Sequence, residues 1–162
     1  MPPATGIQLS PMATAAQELL GGAMPVVVAD QGYYHGAEIK RCLAAGLTPL
    51  VPRPLTSANE ARGLFTKDDF AYDPAADLYR CPAGETLTYR TTTVELGRTI
   101  KNYRTSACGR CALKPRCTRN TDGRKITRWV DEHLLEAMAQ RLGRARALFA
   151  QLPANRYRLV YL

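Results

Sequence analysis

Four cysteines lie in or beside a basic stretch of the sequence, at spacings that suit a bound metal ion. Cys108 and Cys111 are separated by two residues, and Cys117 follows after five more. Cys81 lies upstream, at the start of a Cys-Pro-Ala-Gly turn signal. A tight turn brings two sulfurs to one point, and Gly109 eases that turn between Cys108 and Cys111. Four thiolates hold Zn²⁺ tetrahedrally where the cytosol disfavours disulfides, so we predict one structural zinc per chain.

The same spacing is also compatible with a different metal centre. A distant cysteine followed by Cys-x2-Cys-x5-Cys is also found around some nuclease-associated four-iron, four-sulfur clusters. Such a 4Fe-4S cluster is therefore the alternative occupant, and unligated structural thiols are a third reading. Cys42 lies outside this set, because it shares the apolar face of a predicted helix with Ile39 and Leu43, where it packs as a small hydrophobe.

The formal net charge of +8 is concentrated in one segment. Residues 89–130 contain eleven Lys or Arg against two acids, which gives +9, and the rest of the chain sums to −1. Localised positive charge attracts polyanions, and counterion release makes nucleic acid the usual partner, although a solvated basic face is the plainer alternative. Tyr89, Tyr103 and Trp129 lie among these cations and either stack on bases or belong to the core. We predict that DNA is bound by Arg98, Lys101, Arg104, Arg110, Lys114, Arg116, Arg119, Arg124, Lys125 and Arg128.

Asp30 is the candidate catalytic carboxylate. It follows the run MPVVVA, which is short and rich in β-branched residues and so predicts a buried parallel strand that ends at Asp30. Ligands of α/β folds bind at the carboxyl ends of such strands. An isolated aspartate at this position is otherwise a cap or turn residue.

Helices and strands alternate around Asp30. Ser10 and Pro11 predict the start of a helix that Gly21 ends, and AEIKRCLAA predicts a second helix closed by Gly46. Residues 48–51 form a second predicted strand. Helix, strand, helix and strand at this spacing predict an α/β unit with a parallel sheet.

The pattern changes after residue 55. Ser57-x-x-Glu60 resembles a capping box for a short helix that ends near Gly63. From Phe70 onward, Tyr- and Thr-rich segments alternate with the turn signals Asp-Pro, Pro-Ala-Gly and Leu-Gly, which predicts antiparallel hairpins. A final helix over residues 131–142 has its apolar side formed by Leu134, Leu135, Met138 and Leu142.

Several of these segments resemble one family. VVVADQGYYHGAEI resembles the second catalytic segment of DDE transposases, in which a strand ends in Asp followed by Gly-Tyr. TPLVPRPLTSANEARGLFTKDDFAYDPAADLYRCPAGETLTYR, the later cysteines and ITRWVDEHLLEAMAQRL resemble the middle of a bacterial insertion-sequence transposase, so the resemblance covers residues 7–142. It implies a ribonuclease-H-like sheet in which two Asp and one Glu hold two Mg²⁺ ions for DNA strand cleavage and transfer. By this resemblance Asp30 is the second Asp.

The sequence departs from the family at the other two carboxylates. The only acid before Asp30 is Glu18, which lies on the first predicted helix, and no acid follows Glu136. Glu132 and Glu136 fall in a segment that precedes the family's Glu, so neither replaces it. We therefore expect a chain truncated at both ends, with residues 143–162 out of the ancestral frame. Since Mg²⁺ is held mainly by carboxylates, we expect it not to bind here and the chain alone to be inactive.

The predicted fold class is α/β, with four segments. These are a partial ribonuclease-H-like parallel-sheet unit (7–55), an inserted basic subdomain with β-hairpins and a cysteine metal knot (56–130), a C-terminal helix (131–148) and an unmatched tail (149–162). The predicted function is that of a DDE transposase fragment that at most binds DNA, with a homodimer left open. A zinc-knot nucleic-acid-binding module without enzymatic ancestry is the alternative. No apolar run is long enough for a membrane helix and no secretory signal is present, which predicts a cytoplasmic protein.

Overall fold

The structure is a computed structural model that describes residues 8–21, 26–54 and 58–150. The chain divides into two compact units. Unit 1 contains the described residues up to 54 together with those from Asp131 onward, and unit 2 is the segment Thr56–Val130. Within the described ranges, no helix is both long enough and apolar enough to cross a membrane.

Unit 1 is a small α/β arrangement. Its elements are α1 (Leu9–Leu19), β1 (Val26–Val28), α2 (Gly36–Ala44), β2 (Thr48–Leu50) and α4 (Glu132–Ala150). β1 and β2 pair in parallel, which confirms the predicted parallel strands. The core is aliphatic: Ala13, Val27, Ile39, Cys42 and Met138 are buried against one another, so Cys42 is a core residue as predicted. Burial also raises the pKa of the Cys42 thiol.

The start of α1 differs from the prediction. The helix begins at Leu9, and the Ser10 side chain does not cap it. Instead the Ser10 backbone N–H donates a hydrogen bond to the Glu38 carboxylate of α2 at 3.0 Å. Glu38 is fully buried and also forms an ion pair with Arg41. An acceptor 28 residues away thus replaces the local cap, whereas the predicted exit at Gly21 is confirmed by its φ of +72°.

β1 is shorter and less buried than the sequence predicted. It ends at Val28, two residues before Asp30, and Val26 is 57% exposed. The two-stranded parallel sheet is a mixed α/β feature compatible with the predicted ribonuclease-H-like core, which stays a prediction. α4 continues past Leu142 to Ala150, and its residues Leu135 and Met138 pack on the core of unit 1.

Unit 2 is built on a five-stranded antiparallel sheet. Its strands are β3 (Ala71–Asp73), β4 (Leu78–Arg80), β5 (Thr86–Glu95), β6 (Arg98–Arg104) and β7 (Ile126–Trp129), and each pairs with its neighbours in chain order. The turn signals Asp-Pro, Pro-Ala-Gly and Leu-Gly fall between β3 and β4, β4 and β5, and β5 and β6. The predicted hairpins are confirmed.

The core of unit 2 is aromatic. Phe70, Tyr79, Leu87, Tyr103 and Ile126 are buried together. The rings of Tyr79 and Tyr103 meet edge to face, with their centroids 5.1 Å apart, a favourable geometry for aromatic pairs.

Burial separates the three aromatic residues that lie among the cations. Tyr103 and Trp129 are core residues, whereas Tyr89 is 46% exposed. Of the three, Tyr89 therefore presents the ring that is most accessible to a base.

The segment before the sheet contains two short 3-10 turns. The predicted capping residue Ser57 lies outside the described residues, but the turn Glu60–Arg62 does end at Gly63, whose φ is +65°. A capping box is present one turn later, where Thr66 and Asp69 bond reciprocally. In that box the Thr66 N–H donates to the Asp69 carboxylate at 2.7 Å.

Candidate nucleic-acid interface and cysteine cluster

A hydrogen-bonded aspartate ties the β3–β4 turn to β6. Asp77 has a φ of +49°, a left-handed conformation that Asp tolerates better than most residues. Its carboxylate accepts hydrogen bonds from the Tyr103 hydroxyl at 2.6 Å, the Tyr72 hydroxyl at 2.7 Å and the Lys101 ammonium at 2.8 Å. These three bonds fix the strand on which the first predicted DNA-binding cations lie.

The network shifts the proton affinity of each member. The hydrogen bond from Lys101, followed by those from Tyr103 and Tyr72, lowers the pKa of Asp77 to about 2. Burial and the Asp77 carboxylate raise the pKa of both tyrosines. The bond to Asp77 raises the pKa of Lys101. Lys101 is therefore charged but paired, and it offers less attraction to a phosphate than an unpaired cation would.

Four of the predicted DNA-binding residues are exposed on the segments that follow β6. Arg110 ends the 3-10 turn Ala107–Arg110, and Arg116 lies on the one-turn helix α3 (Lys114–Cys117). The Arg116 guanidinium lies 5.1 Å from the centre of the Phe65 ring, which orients it without burying it. The four exposed residues are Arg110, Arg116, Arg119 and Lys125.

Three more predicted cations are half-buried. Arg98 and Arg104 occupy the two ends of β6. The Lys114 ammonium donates a hydrogen bond to the Thr121 carbonyl at 3.0 Å, so it closes the loop between α3 and β7. These side chains are partly accessible and can supplement the exposed group.

Two predicted cations have structural roles that the sequence did not reveal. Arg128 is 7% exposed, its guanidinium lies 3.8 Å from the centre of the Tyr72 ring, and it donates to the Tyr79 hydroxyl. Arg124 lies 5.4 Å from the centre of the Phe70 ring and donates to the Cys117 carbonyl at 3.3 Å. Contact with a phosphate would disrupt these packing interactions. We therefore exclude both residues from the interface that is proposed below.

Within the basic segment 89–130, one exposed cation was not among the predicted DNA-binding residues. Arg90 lies on β5, at the β-bulge where the register with β6 shifts between Tyr89 and Thr91. It falls within the basic segment, but no sequence signal distinguishes a bulged residue from its neighbours in a Thr-rich strand.

Each of the four predicted metal-binding cysteines lies at a turn. Cys81 follows β4, where its carbonyl accepts from the Gly84 N–H at 2.8 Å and its own N–H donates to the Glu85 carbonyl. The Cys111 N–H donates to the Cys108 carbonyl at 3.4 Å, which closes the turn between these two residues. Cys117 is the last residue of α3. All four side chains are half-buried and free of disulfides.

The other three thiols act electrostatically on Cys117, but the four do not form a recognisable metal centre. Burial raises the pKa of Cys117 most, Arg124 opposes this, and the thiols of the other three cysteines raise it further. Within the described residues, no group of three or more His, Cys, Asp or Glu side chains is arranged to hold a metal ion. The predicted zinc site is therefore not confirmed, and neither is the iron–sulfur alternative.

Gly123 packs closely against Cys108. Its φ is +87°, and a Cβ at this position would lie 2.6 Å from the Cβ of Cys108 and 2.9 Å from its sulfur. Only glycine fits this position without a shift of the backbone or of Cys108. No motif around Gly123 in the sequence predicts this close approach.

Asp30 occupies the turn that follows β1. It is exposed, and its carboxylate accepts a hydrogen bond from the Gly32 N–H at 2.7 Å, which caps the 3-10 turn Gln31–Tyr33. The structure therefore gives Asp30 the local role of a cap. It does not place Asp30 in a carboxylate cluster among the described residues.

One comparison relates this arrangement to a known family. Residues 80–156 match the family described as transposase DDE domain. The matched range begins at the last residue of β4, contains β5 to β7, the four cysteines and α4, and extends into the segment from residue 149 that was predicted to be an unmatched tail. Asp30 lies outside it. No curated protein and no solved structure gives a significant match to the chain.

This similarity of residues 80–156 to a transposase DDE domain confirms the transposase resemblance that was inferred from the sequence, and it supports a relation to DNA transposition and mobile elements.

Proposed function

We propose that this chain is a fragment of an insertion-sequence transposase that binds DNA through the basic surface of unit 2 and does not cleave DNA alone. The DNA is that of the transposon ends in the intact family. The main support is that the exposed cations Arg110, Arg116, Arg119 and Lys125 lie on the segment between β6 and β7, which is within the matched range. Since each of these cations has solvent access, phosphate contacts would release counterions without unfolding the core.

The proposal of inactivity rests on the carboxylates. Two-metal catalysis requires several carboxylates around one phosphate. The Asp30 carboxylate is bonded to the Gly32 N–H, and Glu38, the nearest acid along the chain, is buried in contact with Ser10 and Arg41. The parallel pair of β1 and β2, with Asp30 beyond its carboxyl end, supports a ribonuclease-H-like origin for unit 1. It does not supply the two further carboxylates.

Fluorescence anisotropy with unrelated duplexes at about 50 to 200 mM salt tests DNA binding. If roughly five cations contact phosphates, log affinity falls with log salt at a slope of about −4 to −5. Changing Arg110, Arg116 and Arg119 together to Ala is expected to make the slope shallower by up to about three. The matched control changes the exposed Arg141, Arg144 and Arg146 of α4 to Ala, which removes the same charge from unit 1.

Two results would contradict this interface. One is a flat salt dependence, which would make the basic surface merely solvated. The other is an equal effect of the two triple variants, which would assign the binding to overall charge.

Incubation of the chain with Mg²⁺ or Mn²⁺ and labelled duplexes tests the lack of cleavage. We expect intact strands. Cleavage that disappears in Asp30→Ala would overturn this part of the proposal, whereas cleavage that persists in that variant would identify a contaminating nuclease.

We further propose that Cys81, Cys108, Cys111 and Cys117 bind one structural zinc. A set of four thiol donors suits zinc, and the electrostatic influence of the other three thiols on Cys117 and the close approach of Gly123 to Cys108 support the site. The ion would cross-link the β4–β5 turn to the segment before α3 and to the last residue of α3. We expect elemental analysis to find one zinc per chain, which Cys111→Ser removes and Cys42→Ser retains. Iron with matching sulfide would favour the cluster, and absence of any metal would refute the site.

A further inference from the structure

β5 extends beyond its neighbour β4 in the sheet. β4 pairs with β5 only from Thr86 to Thr88, so β5 continues to Glu95 with β6 as its partner on one side. On the other side of the hairpin, β7 pairs with β6 from Ile100 to Tyr103, so only the tip of the hairpin projects as two strands. Residues 88–97 are all exposed, although a strand in a sheet usually buries one of its two faces. We call residues 89–98 the arm. At about 3.3 Å per residue, its β5 strand is on the order of 20 Å long.

The tip of the arm contains an unusual turn residue. Leu96 and Gly97 link the strands with φ values of +49° and +73°, the signs of a type I′ turn. Asn-Gly is the favoured pair for this turn, because leucine is strained at positive φ. Leu96 is 91% exposed and the nearby Val94 is 73% exposed. A strained apolar side chain at the end of a solvated arm gives nothing to the fold, which suggests a role in binding.

The charge of the hairpin indicates the kind of partner. Within the arm, Arg90 and Arg98 outnumber Glu95, which gives +1, and the half-buried Arg104 adds a cation at the far end of β6, whereas Lys101 is paired with Asp77. Arg90 is exposed at the bulge, where β-strands bend and twist more strongly. The remaining side chains of β5 in the arm are mainly threonine, and Thr92 bonds the hydroxyl of Tyr89 at 2.9 Å. Cationic, threonine-rich surfaces with an accessible aromatic ring match a phosphate backbone better than an apolar protein surface.

We propose that the arm lies along duplex DNA and that Leu96 inserts as an apolar wedge between base pairs from the minor groove. Two-stranded ribbons are known to enter DNA grooves, and apolar wedges unstack base steps and bend the duplex. Arg90 and Arg98 neutralise phosphates on either side of the wedge. This inference rests on the proposed DNA binding of unit 2 and adds to it the element that deforms the DNA.

The decisive variant is Leu96→Asn. Asparagine is the favoured residue for this turn, so the change removes the wedge while it preserves or improves the stability of the hairpin. The probe is a duplex of about 30 base pairs with a central TA step, which kinks easily, and a donor and acceptor dye at its ends. We expect wild type to raise the energy transfer between the ends, Leu96→Asn to abolish that rise, and its affinity to fall about 5-fold.

Two further variants control for position and charge. Val94→Thr removes an exposed apolar side chain from the same arm, and we expect it to retain bending and to bind within about 2-fold of wild type. Changing Arg90 and Arg98 together to Ala should make the salt slope shallower by about two.

The outcomes separate this inference from the proposed function. If wild type binds DNA with the expected salt slope and Leu96→Asn bends it equally well, the arm inference fails and the proposed function stands. If wild type does not bind the duplex, the proposed function fails first. If sedimentation shows a wild-type dimer that Leu96→Asn dissociates, the arm binds a second copy of the chain, and the wedge is refuted.

Discussion

The two units of this chain are stabilised in different ways. Unit 1 has an aliphatic core, and its buried polar residue Glu38 joins α1 to α2. Unit 2 has an aromatic core, and Asp77 joins neighbouring hairpins through two tyrosines and Lys101. In each unit a carboxylate thus forms a long-range polar link. Glu38 is fully buried, whereas the side chain of Asp77 is 38% exposed.

This difference in exposure predicts that the two carboxylates contribute unequally to stability. A buried carboxylate has lost its hydration, and its bonds to protein groups are what offsets this loss. Removing the carboxylate or its partner is therefore strongly destabilising. An exposed carboxylate retains part of its hydration, and solvent screens its ion pair. We therefore expect unit 1 to depend on Glu38 more than unit 2 depends on Asp77.

Glu38→Ala is expected to have the largest effect. It leaves the Ser10 N–H and the Arg41 guanidinium without their buried acceptor, which should lower the free energy of unfolding by about 3 kcal/mol. Urea unfolding followed by the helical circular dichroism signal measures this, because α1, α2 and α4 all belong to unit 1. Glu18→Ala on the exposed side of α1 is the matched control and should change it by less than about 0.5 kcal/mol.

The single tryptophan sharpens this comparison. Trp129 lies on β7 of unit 2, so its fluorescence follows that unit. If Glu38→Ala shifts the fluorescence transition as far as the transition of the helical signal, the two units unfold together. Their stabilities would then not be independent.

Gly123→Ala is expected to have an intermediate effect on unit 2. The new Cβ would meet the side chain of Cys108 at 2.6 Å, and alanine is strained at a φ of +87°, so we expect a loss of about 2 kcal/mol in the fluorescence transition. Gly109→Ala is the control, because a Cβ there meets nothing within 4 Å. Equal losses of stability in the two variants would mean that the contact between residue 123 and Cys108 does not limit which residue unit 2 tolerates there.

Local sequence signals predicted the backbone of both units better than their side-chain contacts. The turn signals around β3 to β6 and the exits at Gly21 and Gly46 depend on residues a few positions apart, so one sequence was enough to place them. The bond from Ser10 to Glu38 and the stacking of Arg128 on Tyr72 join residues 28 and 56 positions apart. Charge counting could not foresee that Arg128 is buried.

The same limit applies to the candidate sites. Spacing brought the four cysteines into one predicted set, and the other three thiols do raise the pKa of Cys117. Whether the thiols can converge on one ion depends on loop geometry, which spacing does not determine. The turn at the tip of the arm was predicted from its Leu-Gly pair. The exposure of Leu96 could not be predicted, because it follows from the continuation of β5 past the end of its pairing with β4.

Asp77→Asn is expected to have the smallest effect on stability, and it tests the more exposed of the two carboxylates. The pKa of Asp77 is lowered to about 2, below its ordinary value of 3.8, so its stabilising contribution is present above about pH 4 and is lost as the pH falls through 2. After allowance for solvent screening, we expect a loss of about 1 kcal/mol at pH 7 in the fluorescence transition. The difference between wild type and variant should shrink as the pH approaches 2, because the protonated carboxyl no longer attracts Lys101. Asp73→Asn in the preceding turn is the control, since Asp73 only accepts local N–H bonds from Ala75 and Ala76. If Asp77→Asn lowered the free energy of unfolding at pH 7 as much as Glu38→Ala does, solvent exposure would not determine how much these two carboxylates stabilise the protein.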